Sequence, residues 1–133
     1  MVLDLPDGYV RGNNEVDKYA KVLQVLTTNV VGLKATSTFD LPIGILRRIE
    51  IYFPYGCLYH LFATVHQGAT LVVPNALSPD IYVIGNDKLF VFDMFKYITP
   101  ATVSYTISGW NDGTCNWNHN INVNILIEKV VVP

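Results

Sequence analysis

Charge is in short supply. Of 133 residues, 9 are basic and 11 acidic, so 15% are charged and the formal net charge is −2. A typical soluble domain carries about 25% charged residues. This balance excludes nucleic-acid binding driven by phosphate neutralisation, which needs clustered Lys and Arg. Intrinsic disorder is excluded too, because 50% of the residues are apolar and the mean hydropathy is +0.29. Cysteine is nearly absent: Cys57 and Cys115 allow one bridge or two small buried thiols, and no disulfide framework. No run of about 18 apolar residues occurs, so membrane insertion is not expected. The first residues lack a basic segment followed by a long apolar run, and no Asn-x-Ser/Thr sequon is present. Cytoplasmic synthesis without a classical export signal is therefore expected.

The residues that carry chemistry are equally sparse. His60 and His66 share a parity, which on one strand sets them roughly 20 Å apart and unable to share a metal. His119 stands alone. No Gly-x-Ser-x-Gly elbow surrounds Ser37, Ser78, Ser104 or Ser108. Asp80, Asp87, Asp93 and Asp112 sit near turn signals, where Asp is ordinarily a turn or capping residue. Asn86-Asp87 and Asn111-Asp112 offer hard oxygen ligands but lack the alternating acidic pattern of a calcium loop. No enzyme activity, metal or cofactor is expected.

What is present is a period of two. Ala35, Ser37, Phe39 and Leu41 alternate with polar neighbours, as do Ile49, Ile51 and Phe53. Cys57 to Val65 is apolar on both parities and reads as a central strand. Thr70 to Val73 is a short strand stopped by Pro74, and Gly85-Asn86-Asp87 turns the chain into Leu89 to Phe92. A helical turn is expected around Asp93 to Tyr97. Val103, Tyr105 and Ile107 form another alternating run, and Ile121, Val123, Ile125 and Ile127 mark a last strand. Between Val16 and Val31 a helical stripe competes with a high density of Val and Thr, and strand is preferred. Pro6, Asp7-Gly8 and Gly12-Asn13-Asn14 mark residues 1–20 as an irregular N-terminal arm, with 21–133 as the domain. Seven to nine short strands predict an all-β fold: a single antiparallel β-sandwich, jelly-roll-like.

From Tyr97 to Ile127 the only fully ionised side chain is Asp112. Neutral polar groups are cheaper to bury than charges, so this stretch suits either a well-filled sandwich core or a surface covered by another subunit. Within it, a loop over Ser108 to Asn118 holds Trp110, Asn111, Asp112 and Trp117, with His119 just beyond. Aromatic rings beside amides suit a sugar platform, and they equally suit a subunit interface.

Ile49-Glu50-Ile51-Tyr52-Phe53-Pro54-Tyr55-Gly56-Cys57, then Val73-Pro74-Asn75, then Trp110-Asn111-Asp112 followed by His119 and alternating Ile and Val form an ordered series over about Ala35 to Ile127. In that order the chain resembles small β-sandwich virion structural proteins of tailed phages and related environmental viruses. The segment Thr114 to Asn118 departs from a simple two-residue hairpin. The resemblance implies a structural protein on or in a virus particle, with no catalytic residues to carry over. The resulting expectation is an assembly subunit of the capsid-shell or capsid-decoration kind, located in the virion. Its arm residues Val2, Leu3, Leu5 and Tyr9 would contact neighbouring copies or other virion subunits. The alternative is a carbohydrate-binding, lectin-like module using the Trp110–His119 loop.

Overall fold

A computed structural model describes residues 10–56, 59–74, 82–99 and 104–131, with the backbone alone at 11–14. Nine strands are present among them: β1 (Val10–Val25), β2 (Ala35–Phe39), β3 (Gly44–Phe53), β4 (Leu61–Gln67), β5 (Thr70–Val73), β6 (Val83–Gly85), β7 (Lys88–Ile98), β8 (Tyr105–Asn111) and β9 (His119–Val131). One sheet has the order β1-β9-β3-β7, and the other β2-β8-β4-β5, with β6 also paired to β4. All described pairings are antiparallel.

With β6 set aside, the first strand pairs with the last, the second with the next to last, and so inward to the β4–β5 hairpin. That nested pairing is the jelly roll, a long antiparallel ribbon folded over into two facing sheets. β5 and β6 share one edge of β4, along Val65–Gln67 and Leu61–Ala63 respectively. The all-β sandwich read from the alternation is therefore the observed fold.

The core lies between the sheets. Ile49, Ile51 and Phe53 of β3 and Ile121, Val123, Ile125 and Ile127 of β9 are buried, opposite Leu61, Ala63 and Val65 of β4 and Tyr105 and Ile107 of β8. Each such Val, Leu, Ile or Phe side chain contributes about 1.5–3 kcal/mol on burial. Leu46 also joins this core, although it is three residues from Ile49 and would face the other way on a regular strand. A register shift between Leu46 and Arg48, against both β7 and β9, reconciles the two. The bulge absorbs one residue, so both sides of it face inward.

Three expectations need correction. Residues 10–20 are not part of an irregular arm: they belong to β1, held against β9 from Val10↔Val131 to Val25↔His119, with an irregularity between Arg11 and Val16. The alternating partner strand satisfies their backbone despite the turn-rich composition. Val2, Leu3, Leu5 and Tyr9 lie outside the described residues. No helical turn occurs at Asp93–Tyr97, because β7 runs through as the extended partner of β3. Finally, the loop expected from Ser108 begins only at Asp112, since Ser108 to Asn111 complete β8.

Gly109 marks a close approach of the sheets. A methyl group there would sit 2.9 Å from Val25, 3.0 Å from Leu23 and 3.1 Å from Ile121, side chains of the opposite sheet. At Gly44 it would meet the Glu128 carbonyl oxygen at 2.7 Å, a backbone atom that cannot rotate aside. Gly109→Ala is expected to cost about 1–3 kcal/mol by overpacking, and Gly44→Ala more, measured as lowered urea midpoints at unchanged m-value.

Candidate functional site

Strand direction gathers four loops at one end of the sandwich. The pairings Val25↔His119, Tyr52↔Asn122, Phe53↔Lys88 and Leu61↔Asn111 place together loops 26–34, 86–87 and 112–118 and loop 54–60, the last described at 54–56 and 59–60. The sequence-derived candidates Trp110, Asn111, Asp112, Trp117 and His119 all fall at this end. They divide into two groups with different work.

Trp110 is only 7% exposed. Its ring stacks on Phe62 at 5.7 Å and meets Tyr82 edge-on at 5.9 Å, while Lys34 Nζ lies 4.1 Å from its centroid. This cluster caps the outer face of the β2-β8-β4 sheet and lines a shallow recess with Val30 and Val31. Asn111 is 1% exposed. Its Nδ2 donates to the carbonyls of Leu26 at 3.0 Å, Thr27 at 3.2 Å and Asn29 at 2.9 Å, and its Oδ1 accepts from Gly113 N at 2.7 Å. With both ends of the amide engaged, Asn111 pins loop 26–34 to the end of β8. Both residues are largely committed to packing and loop tethering, because β8 extends far enough to bury them, and they border only the recess beside Val30 and Val31.

Asp112 and the residues after it form the second group. Asp112 Oδ1 accepts from Thr114 N at 3.0 Å and Thr114 Oγ1 at 2.5 Å. Asp112 Oδ2 lies 2.5 Å from His60 Nδ1. The Thr114 hydroxyl first, and His60 after it, hold the Asp112 carboxyl below its ordinary pKa. The carboxylate is therefore an acceptor, and His60 Nδ1 carries the shared proton. Trp117 is 56% exposed, with its ring 5.7 Å from that of His119. A pocket of about 200 Å³ opens between loops 54–60 and 112–118, lined by Gly56, His60, Thr114, Cys115, Trp117 and His119, with Asn116 at its side. Cys115 is half-buried there; Cys57 lies outside the described residues, so the question of a bridge does too.

His60 was not singled out as part of this site by sequence reasoning, because its pairing with Asp112 spans 52 residues. The buried Glu128 was missed as well: alternation turns it away from the core, yet it is 1% exposed and ion-paired with Arg47 Nη1 at 2.5 Å. Arg47 sits at the β3 bulge, so this pair depends on the register shift. Around it, Val16, Arg48, Asp93, Met94 and Leu126 line an open groove on the outer face of the β1-β9-β3-β7 sheet. Arg48 Nε donates to Asp93 Oδ1 at 2.6 Å, so the groove's charges are matched among themselves. Among the described residues, no group of three or more His, Cys, Asp or Glu side chains is arranged to hold a metal ion.

No family model matches the chain, and no curated protein matches its sequence. Among solved structures, it is similar to a chain of the cyanophage Pam1 capsid asymmetric unit, with a TM-score of 0.50 and 12% identity. The match covers 100% of this chain and 94% of that one. At this identity the likeness is one of fold, and it spans both sheets.

Two outcomes follow from the geometry. Asn111→Ala removes one side chain serving three carbonyls and one amide, and should cost about 1–3 kcal/mol in chemical denaturation. Burial lowers the pKa of His119, and burial together with Lys34 lowers that of His66, both from 6.5. The unfolded chain then binds more protons, so their contribution is complete above the unfolded value and is lost as pH falls through the folded values. Thermal midpoints should decline from about pH 7 to about pH 5, and His119→Gln should flatten part of that decline.

Proposed function

We propose that the chain is a structural subunit of a virus particle, in the capsid shell or as a capsid-decoration protein. It acts through contacts with copies of itself or with other virion subunits, by binding rather than by catalysis. The observation that carries this reading is the likeness of the jelly roll, over its full length, to a chain of a capsid asymmetric unit.

The surface suits that role. β7 is an edge strand of its sheet and exposes Leu89, Val91 and Phe95. An unpaired edge with apolar side chains favours pairing with another chain, and the charges of β7 (Lys88, Asp93 and Lys96) flank its apolar run 89–92 rather than interrupt it. On the other edge of the same sheet, β1 exposes Val16 and Val22. A formal net charge of −2 leaves little mutual repulsion between packed copies. The sequence-derived arm contacts Val2, Leu3, Leu5 and Tyr9 extend the same idea: apolar anchors immediately before β1 would dock on a neighbour.

Sedimentation equilibrium over a concentration series tests the reading. Species heavier than the 14.9 kDa chain are expected at high concentration. The double variant Leu89→Lys and Val91→Lys should weaken association at least tenfold, since both side chains are exposed and their replacement leaves the core intact. Deletion of residues 1–9 should weaken it as well. A strictly monomeric protein at every concentration, unaffected by either change, would overturn self-association through these surfaces.

A further inference from the structure

We infer that the pocket between loops 54–60 and 112–118 is a binding site for a single neutral sugar ring, with Trp117 as its stacking platform. The inference is independent of the assembly reading, since the pocket lies at the loop end and not on the β7 edge.

The two tryptophans show the contrast. Trp110 gives its faces to Phe62, Tyr82 and Lys34, and it is buried. Trp117 is more than half exposed beside an open pocket, with only the tilted His119 ring as a described ring contact. Holding an indole in water forgoes the burial that large aromatics ordinarily gain. A pyranose restores it, because one face of the sugar is a row of C–H groups that packs on an aromatic ring while its hydroxyls remain at the edge.

Those hydroxyls both donate and accept, and the lining matches that chemistry. His60 is oriented through Nδ1 by Asp112, which leaves Nε2 as its other hydrogen-bonding atom and fixes it as an acceptor when the ring is neutral. The Asn116 amide has no hydrogen-bond partner among the described residues, and it supplies a donor and an acceptor. Thr114 Oγ1 donates its proton to Asp112 and keeps its lone pairs for a hydroxyl donor.

The same lining argues against other ligands. No Lys or Arg is among the described lining residues, so a phosphate or carboxylate group would find no permanent counter-charge. The Asp112 carboxylate is already engaged by Thr114 and His60, so a cation finds no uncommitted carboxylate. At about 200 Å³ the pocket is smaller than the ~300–1,000 Å³ of drug-sized sites and takes one ring.

The test is a titration of the ¹⁵N-labelled full chain with D-glucose, D-galactose, D-mannose, L-fucose and N-acetyl-D-glucosamine, up to high millimolar concentration. Adenine and cytosine serve as comparison ligands, and the tryptophan indole N–H resonances are followed. At least one sugar is expected to shift the Trp117 indole saturably while the Trp110 indole stays fixed. Trp117→Ala should abolish the effect, Asn116→Ala should weaken binding about fivefold or more, and His60→Phe about tenfold. Thermal midpoints near wild type for Trp117→Ala and Asn116→Ala would separate lost binding from lost folding. No saturable shift with any sugar would overturn the assignment. So would equal shifts of the two indoles, binding that survives Trp117→Ala, or bases binding as tightly as the sugars. None of these outcomes depends on the oligomeric state, so failure here and failure of the assembly reading are told apart by the sedimentation data.

Discussion

Strand β9 is the element on which the rest of the structure depends. It lies between β1 and β3, and its inward row of Ile121, Val123, Ile125 and Ile127 is buried in the core. Without it the first sheet has no connection between its outer strand and its centre. The opposite sheet is drawn in closely enough that β8 carries a glycine where it meets Leu23, Val25 and Ile121. Such packing tolerates little change in volume, because protein interiors are filled to crystal-like density. The nested pairing of strands far apart in sequence then follows as the arrangement that gives these buried rows a common interior.

That arrangement also creates the candidate site. Antiparallel strands bring together, at each end, loops separated by many residues, and the polar groups of those loops must be satisfied locally. Asn111 does so for loop 26–34, and Asn29 joins it by accepting Leu26 N through Oδ1 and donating to Leu33 O through Nδ2. Asn118 accepts Thr27 N and ties the 112–118 loop to the same neighbour. Asn86 accepts Gly56 N of loop 54–60, and Asp87 accepts the Tyr52 hydroxyl at the end of β3. Four asparagines, Asn29, Asn86, Asn111 and Asn118, are thus accounted for by loop architecture. Trp117, Asn116 and His60 stand out because the framework leaves part of their chemistry unspent.

Much of the fold was legible because period-two alternation is a local signal. Ile49, Ile51 and Phe53, and Ile121 to Ile127, announce their buried faces without reference to any partner. Local signals misled where a partner strand overrode them. Pro, Gly and Asn near the start suggested an arm, yet from Val10 the chain is held by β9. Asp93 to Tyr97 lacked clear alternation because a bulge shifts the β3–β7 register there. Trp110 and Asn111 resembled loop residues by composition, but β4 pairs with them and draws both into the sheet. Of the site, Trp117 and His119 were visible as types of residue, whereas the His60–Asp112 contact was not.

By itself, the sequence determined the fold class, the inward rows of the main strands and the scarcity of charge. These depend on composition and on which side chains repeat every second residue. Only the tertiary structure decided the strand order, the separation of the two tryptophans and the charge pair between Arg47 and Glu128. It also decided the meeting of His60 with Asp112. Each of these rests on register between distant strands, and a one-residue shift at a bulge changes which side chains meet while leaving the local pattern intact.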